Sequence, residues 1–391
     1  MNVAASRARF DGRVVGRDPA TGKPLAVRVA DGRVTEMERT DEPTEVWLSP
    51  GLIDLQVNGF HGFDVNAADV RPETIISLVH SLNRIGVTTV VPTIVTAAEE
   101  RICAALVAVR DARVADPWVA HSVPYVHVEG PFLSSEEGPR GAHDLTWVRP
   151  ADIGELRRWQ KASGDLVGAV TISPHDDQAI EFVAEATREG VRCAIGHTHA
   201  SPEHITRAAD AGATMSTHLG NGAHISLPRH PNYIWAQLAD DRLSAGLIAD
   251  GHHLPADVFR VMLRAKGHHL AHLVSDATAV AGLAPGIYDT SIGHQVELSA
   301  DGRLSHVGTP YLAGASRSLP DGVATAVAMA DISLSTAVRL ATLNPGQIVG
   351  GRGRLVRGAS ADLITYKWEP GATTLEMQSV LCAGALVLGD T

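Results

Sequence analysis

The chain has 391 residues, 45% of them hydrophobic and 20% charged, and a formal net charge of −11. That composition is globular, with enough apolar material for a sizeable core, and the acidic balance argues against a nucleic-acid partner. No stretch of about 18 apolar residues occurs, so no transmembrane helix and no membrane partner are expected. The first segment, residues 1–48, reads as short strands and turns. ARFDGRVVG, PLAVRVADGRVTEME and TEVWLSP alternate apolar and polar residues, with turn signals at Asp11-Gly12 and Asp31-Gly32. From residue 50 apolar runs alternate with helical periods. Strands are expected at 51–57, 88–95, 125–129, 166–173, 193–197, 214–218, 244–249 and 270–275. Helices are expected at 72–85, 97–114, 150–161, 177–189, 202–211 and 255–266. Eight buried strands, mostly separated by helices, predict an α/β fold with a closed parallel (β/α)8 barrel; a doubly wound sheet is the runner-up. A hairpin-like insertion at 292–304 and helices at 319–330 and 334–343 follow, and after Pro345 the short β pattern returns. The expected organisation is a small β-sandwich domain from residues 1–49 and 349–391, with the barrel over 50–348 inserted between its halves.

Three widely spaced cysteines, Cys103, Cys193 and Cys382, form no CxxC and no disulfide framework. The first eighteen residues hold no apolar secretion signal, so a cytoplasmic protein is expected.

Nineteen histidines stand out beside only 6 Phe, 6 Trp and 5 Tyr. Histidine is the commonest metal ligand and a frequent acid/base group. The active sites of such barrels lie at the carboxyl ends of the strands. There this chain collects Gln56 and Asn58 (strand one), Glu129 (three), His197 and His199 (five), His218 (six), Asp250, His252 and His253 (seven) and Asp276 (eight). A cluster of that kind is costly to desolvate, and a divalent cation offsets the cost. Two imidazoles and one carboxylate make a catalytic zinc-type site with an open position for water. Glu129, His197 and His218 are therefore expected as ligands, and Asp276 as the group that takes the water proton and delivers it to a leaving group. These parts imply metal-assisted hydrolysis of an amide or related bond.

The strings PGLIDLQVNG, HVEGPF, RGAHD, GHTHA, THLGN, ADGHH and SDATA, with a closing GRLVRGASADL, resemble the N-acetylglucosamine-6-phosphate deacetylases of the amidohydrolase superfamily. The similarity runs over nearly the whole chain. It implies the same ligands and the same acid/base. It further implies that His143 beside Ala142 polarises the acetyl carbonyl, and that His253 contacts the sugar. By the same resemblance, Asn221 and Gly222 are expected to hold the phosphate through backbone amides, and Leu312, Ala313 and Gly314 to form a late substrate loop. Arg229 stands where the family places a phosphate-binding Arg that reaches in from the neighbouring subunit, so the resemblance also implies a homodimer. Gln56 and Asn58 stand where many amidohydrolases carry HxH and bind two metals. Amides are poor ligands beside imidazole, so one divalent ion per subunit is expected, zinc first, with iron, cobalt or manganese as alternatives. His61 is a candidate partial replacement for the missing ligand.

Three departures from the family pattern cluster around the sugar phosphate. Asn221-Gly222-Ala223 stands for N-A-M, Arg229-His230-Pro231-Asn232 for R-E-P-G, and Ala313-Gly314-Ala315-Ser316-Arg317 for S-G-S-S. Arg229 and Arg317 keep an anionic substrate in view. The expected reaction is hydrolysis of the acetamide of N-acetylglucosamine-6-phosphate. The alternatives are another N-acyl sugar, such as the galactosamine epimer, an N-acyl amino acid, a cyclic amide, or a noncatalytic sugar-phosphate sensor.

Overall fold

The structure, a computed structural model, describes residues 9–292, 294–309 and 311–389. The outermost parts of the expected small domain, 1–8 and 390–391, lie outside the described residues. Eight strands pair in sequence order, all parallel: Leu52–Val57, Val87–Val95, Val126–Glu129, Val167–Ile172, Arg192–Ile195, Met215–Ser216, Ser244–Ile248 and Ala271–Val274. The seam between the first and the eighth closes just past their ends. The Asn58 N–H donates to the Ala277 carbonyl at 2.8 Å and the Asp276 N–H to the Gln56 carbonyl at 3.0 Å.

These strands are mostly apolar because both of their faces are covered, with exceptions such as Gln56 and Glu129 near their carboxyl ends. Inward, Ile53, Leu55, Val91, Ala194, Met215, Ile248 and Val274 fill the barrel. Outward, the strands meet helices with one apolar stripe each. In Pro72–Arg84 the stripe is Ile75, Leu78, Val79 and Leu82, at the 3.6-residue period. Asp152, Asp176 and Ser201 start three of the helices, their side chains accepting the N–H of Gly154, Ala179 and His204.

The structure departs from expectation in three places. The sixth strand is only Met215–Ser216, because His218 turns into the left-handed region with φ 25°. Short helices not legible in the apolar pattern occur at Pro117–Ser122, Tyr233–Ala239 and Leu343–Ile348. The hairpin is a three-stranded antiparallel unit of Gly286–Thr290, His294–Leu298 and Leu304–His306.

Both ends of the chain build one seven-stranded sheet, from Gly12–Arg17, Pro24–Ala30, Arg33–Arg39, Trp47–Pro50, Leu363–Lys367, Glu376–Cys382 and Ala385–Leu388. Val27, Val29, Val34, Leu48, Leu363 and Leu381 form its separate core. Among the described residues no helix is long and apolar enough to cross a membrane.

Candidate active site

At the carboxyl ends of the strands lies a cleft of about 670 Å³. Its wall carries Asn58, Glu129, Ala142, His143, His197, His218, Asn221, Gly222, His253, Asp276, Leu312 and Gly314. Ala313 is buried behind that wall, and Gln56 is buried beneath it. Arg229 is exposed on the loop after strand six and does not line the cleft. His61 is likewise exposed and outside the lining. Arg317 is turned away from the cleft lining and donates to the Asp301 carbonyl of the hairpin at 2.8 Å.

The strand tips share an unusual backbone. His197, His218 and Asp276 have φ of 47°, 25° and 50°. Residues other than glycine pay roughly 1–3 kcal/mol for such conformations, so the packed barrel must hold them there. Each turn aims its side chain inward over the barrel rather than along the strand.

Three ligand-type atoms converge at the bottom of the cleft. Oε1 of Glu129 stands 2.9 Å from Nε2 of His218 and 3.2 Å from Nε2 of His197. The two Nε2 atoms are 3.1 Å apart. The His197 Nδ1–H donates to the Pro139 carbonyl at 2.8 Å, which fixes the ring with Nε2 toward Glu129. A tetrahedral ion with bonds of about 2.0–2.2 Å spaces its ligand atoms roughly 3.3–3.6 Å apart. The triangle needs to open by only a few tenths of an ångström, so these residues fit a divalent metal. His143 adds a second imidazole, its Nε2 3.2 Å from that of His197, and Glu129, His143 and His197 also lie within reach of a single ion.

Electrostatics follow from burial. Desolvation favours neutral Glu129, but hydrogen bonds from His197 and His218 outweigh it and hold the carboxyl well below its ordinary range. Burial alone would deprotonate His218, yet Glu129 pushes it up to about 9. That proton is what a bound cation would replace. His143, buried with His197 beside it, is pushed down to about 3 and is therefore neutral. Burial raises Asp276.

The amides of strand one occupy the space between the carboxylates. Gln56 Nε2 donates to Glu129 Oε2 at 3.2 Å and to Asp276 Oδ1 at 3.1 Å, and Asn58 Nδ2 donates to the same Oδ1 at 2.7 Å. Hydrogen-bond donors thus stand between two acids where a second cation would need lone pairs. At the rim, His253 Nδ1 bonds to Asp250 Oδ2 at 2.6 Å, which fixes the ring.

The sequence reading did not single out Arg140, Ile292, His306 or Tyr311, all in the cleft wall. Arg140 stands in the quoted RGAHD string, so adjacency to His143 was a usable signal. The other three come from the hairpin and the loop after it, whose fold back over the barrel leaves no local trace.

The amidohydrolase family model matches residues 47–387. N-acetylglucosamine-6-phosphate deacetylase of Mus musculus is 32% identical over 353 residues, covering 87% of this chain and 83% of the mouse protein. N-acetylgalactosamine-6-phosphate deacetylase of Escherichia coli is 30% identical over 335 residues, covering 84% and 86%. A mutant N-acetyl-D-glucosamine-6-phosphate deacetylase from Mycobacterium smegmatis, solved in complex with N-acetyl-D-glucosamine-6-phosphate, superposes with a TM-score of 0.83. It is 29% identical and covers 93% of this chain and 95% of its own. The chain belongs to the amidohydrolase family, within the group of N-acetylglucosamine-6-phosphate deacetylases and their kin.

Proposed function

We propose that this protein hydrolyses the acetamide of N-acetylglucosamine-6-phosphate, giving glucosamine-6-phosphate and acetate. The observation that carries the reading is the convergence of Glu129, His197 and His218 with Asp276 and His143 in one buried cleft. Similarity to deacetylases of N-acetylated sugar phosphates over most of the chain supports the substrate class.

Glu129, His197 and His218 would hold one divalent ion, with zinc as the first candidate for this ligand set. When bound, the ion lowers the pKa of its water and polarises a carbonyl. The protein's own groups supply the rest. Asp276, oriented by Asn58 and Gln56, takes the proton of the attacking water and later delivers it to the departing amine. His143 is neutral, so it can donate one N–H to the acetyl oxygen as charge develops there. His253, braced by Asp250, contacts the sugar, and Ala142 with Leu312, Ala313 and Gly314 shapes the cleft around it. Gly222 offers its backbone N–H to the phosphate; the Asn221 N–H, expected to do the same, instead donates to the His218 carbonyl at 3.0 Å.

Arg229 lies outside the lining of its own cleft, so a phosphate contact from it requires a second copy of the chain, a homodimer. The three free thiols support a cytoplasmic setting. The altered residues around Asn221 and Arg229 favour one second reading, hydrolysis of a related N-acyl amino sugar such as the galactosamine epimer.

Asp276→Asn tests the assignment. Acetate release should fall roughly 10²–10⁴-fold while metal content stays at the wild-type level. Near-normal turnover would sink the role of Asp276.

A further inference from the structure

Beside the cleft a second polar network ties its walls together. Glu136 sits in the loop between strand three and His143, and His224 sits in the loop after strand six, three residues past Asn221. Their side chains meet, with the His224 Nε2–H donating to Oε2 of Glu136 at 2.8 Å. The other face of His224 is fixed by Tyr233, in the helix that follows. Its O–H donates to Nδ1 at 3.0 Å and its oxygen accepts the His224 backbone N–H at 2.9 Å. This pattern is self-consistent: one tautomer satisfies both ring nitrogens.

The two loops also touch through backbone. A Cβ on Gly138, at φ +92°, would stand 3.0 Å from the Ala223 carbonyl oxygen. Between them the loops grip His197. A Cβ on Gly222 would stand 2.5 Å from Nδ1 of that ring, and one on Gly141 3.1 Å from Cε1. His143 and Ala142 thus hang from one loop, Asn221 and Gly222 from the other, and Glu136–His224–Tyr233 joins the two.

We propose that Glu136, His224 and Tyr233 are positioning residues that fix the width of the cleft between His143 and the Asn221–Gly222 backbone, and so set which N-acyl amino sugar is held there. The sugar part rests on the deacetylase reading above. Exposed ion pairs add little to stability, so the effect belongs to geometry. A loop displaced by about an ångström costs substrate positioning much more.

The test compares wild type with His224→Ala, Glu136→Gln and Tyr233→Phe as full-length, metal-loaded proteins. Acetate release from N-acetylglucosamine-6-phosphate should show KM raised roughly ten-fold, kcat changed less than about three-fold, and metal content unchanged. His224→Gln, which keeps a donor toward Glu136, should recover part of the loss. The Glu136→Gln/His224→Ala double variant should cost no more than either single change. Unchanged KM, or a fall in kcat that tracks lost metal, overturns the proposal. Amide hydrogen exchange gives a substrate-free readout. In His224→Ala, exchange should speed up in residues 134–143 although the substitution lies in the other loop, and unchanged protection there also overturns it. A wild type inert toward every N-acyl amino sugar would instead refute the deacetylase reading, and exchange would still judge the clamp.

Discussion

A Cβ on Gly222 would stand 2.5 Å from Nδ1 of His197, at φ +56°. Gly222→Ala must therefore push the imidazole or the loop, with backbone strain added. Metal affinity should fall roughly 10–100-fold, read as faster loss of the ion to a chelator, with little change in melting temperature. Asp250 carries a different signature. Burial would raise its carboxyl, but the hydrogen bond and charge of His253 outweigh it and hold it at about 2. A depressed carboxylate stabilises the fold above its unfolded pKa of about 4 and loses that contribution as pH falls to about 2. Asp250→Asn should thus cost about 2 kcal/mol at neutral pH and flatten the unfolding free energy between pH 4 and 2. At this scale much was legible. Glu129, His197, His218 and Asp276 each follow directly on a strand-like run. Arg317 was not, because only the folded chain shows its guanidinium on the Asp301 carbonyl rather than in the cleft.

Elements divide the labour between rigidity and chemistry. The helix Glu99–Ala115 buries Ile102, Ala105, Leu106 and Val109 against the barrel wall. Leu106→Ala, at a fully buried position, should cost about 2–5 kcal/mol by chemical denaturation. Folded molecules of that variant should keep wild-type metal content, since the helix contributes no group to the cleft. Most barrel elements could be placed from periodicity, because two-sided burial writes continuous apolar runs and amphipathic helices write a 3.6-residue stripe. The helix Tyr233–Ala239 left no such mark. It is seven residues long, and its Asn232 cap sits in a segment whose proline and histidines read as loop. The sixth strand was overestimated for a related reason. Thr217 and His218 continue the composition of a strand, but the chain turns there to present the imidazole.

For the whole molecule, the fold gathers residues from position 58 to position 314 into one cleft, while the seven-stranded sheet joins strands of the N-terminal and C-terminal segments on a core of its own. The order of parallel strands made the carboxyl-end site predictable. The three-stranded hairpin was only half visible, since its path back over the cleft depends on tertiary contacts. Two of the segments that depart from the deacetylase pattern, at Asn221–Gly222 and at Gly314, line the cleft. The most direct measurement follows acetate release by metal-replete protein from N-acetylglucosamine-6-phosphate, its galactosamine epimer and unphosphorylated N-acetylglucosamine. If two or so charge-assisted contacts hold the phosphate, kcat/KM for the phosphorylated glucosamine derivative should exceed that for the free sugar by roughly 100-fold. No acetate from any of the three, or equal rates with and without the phosphate, would contradict the assignment.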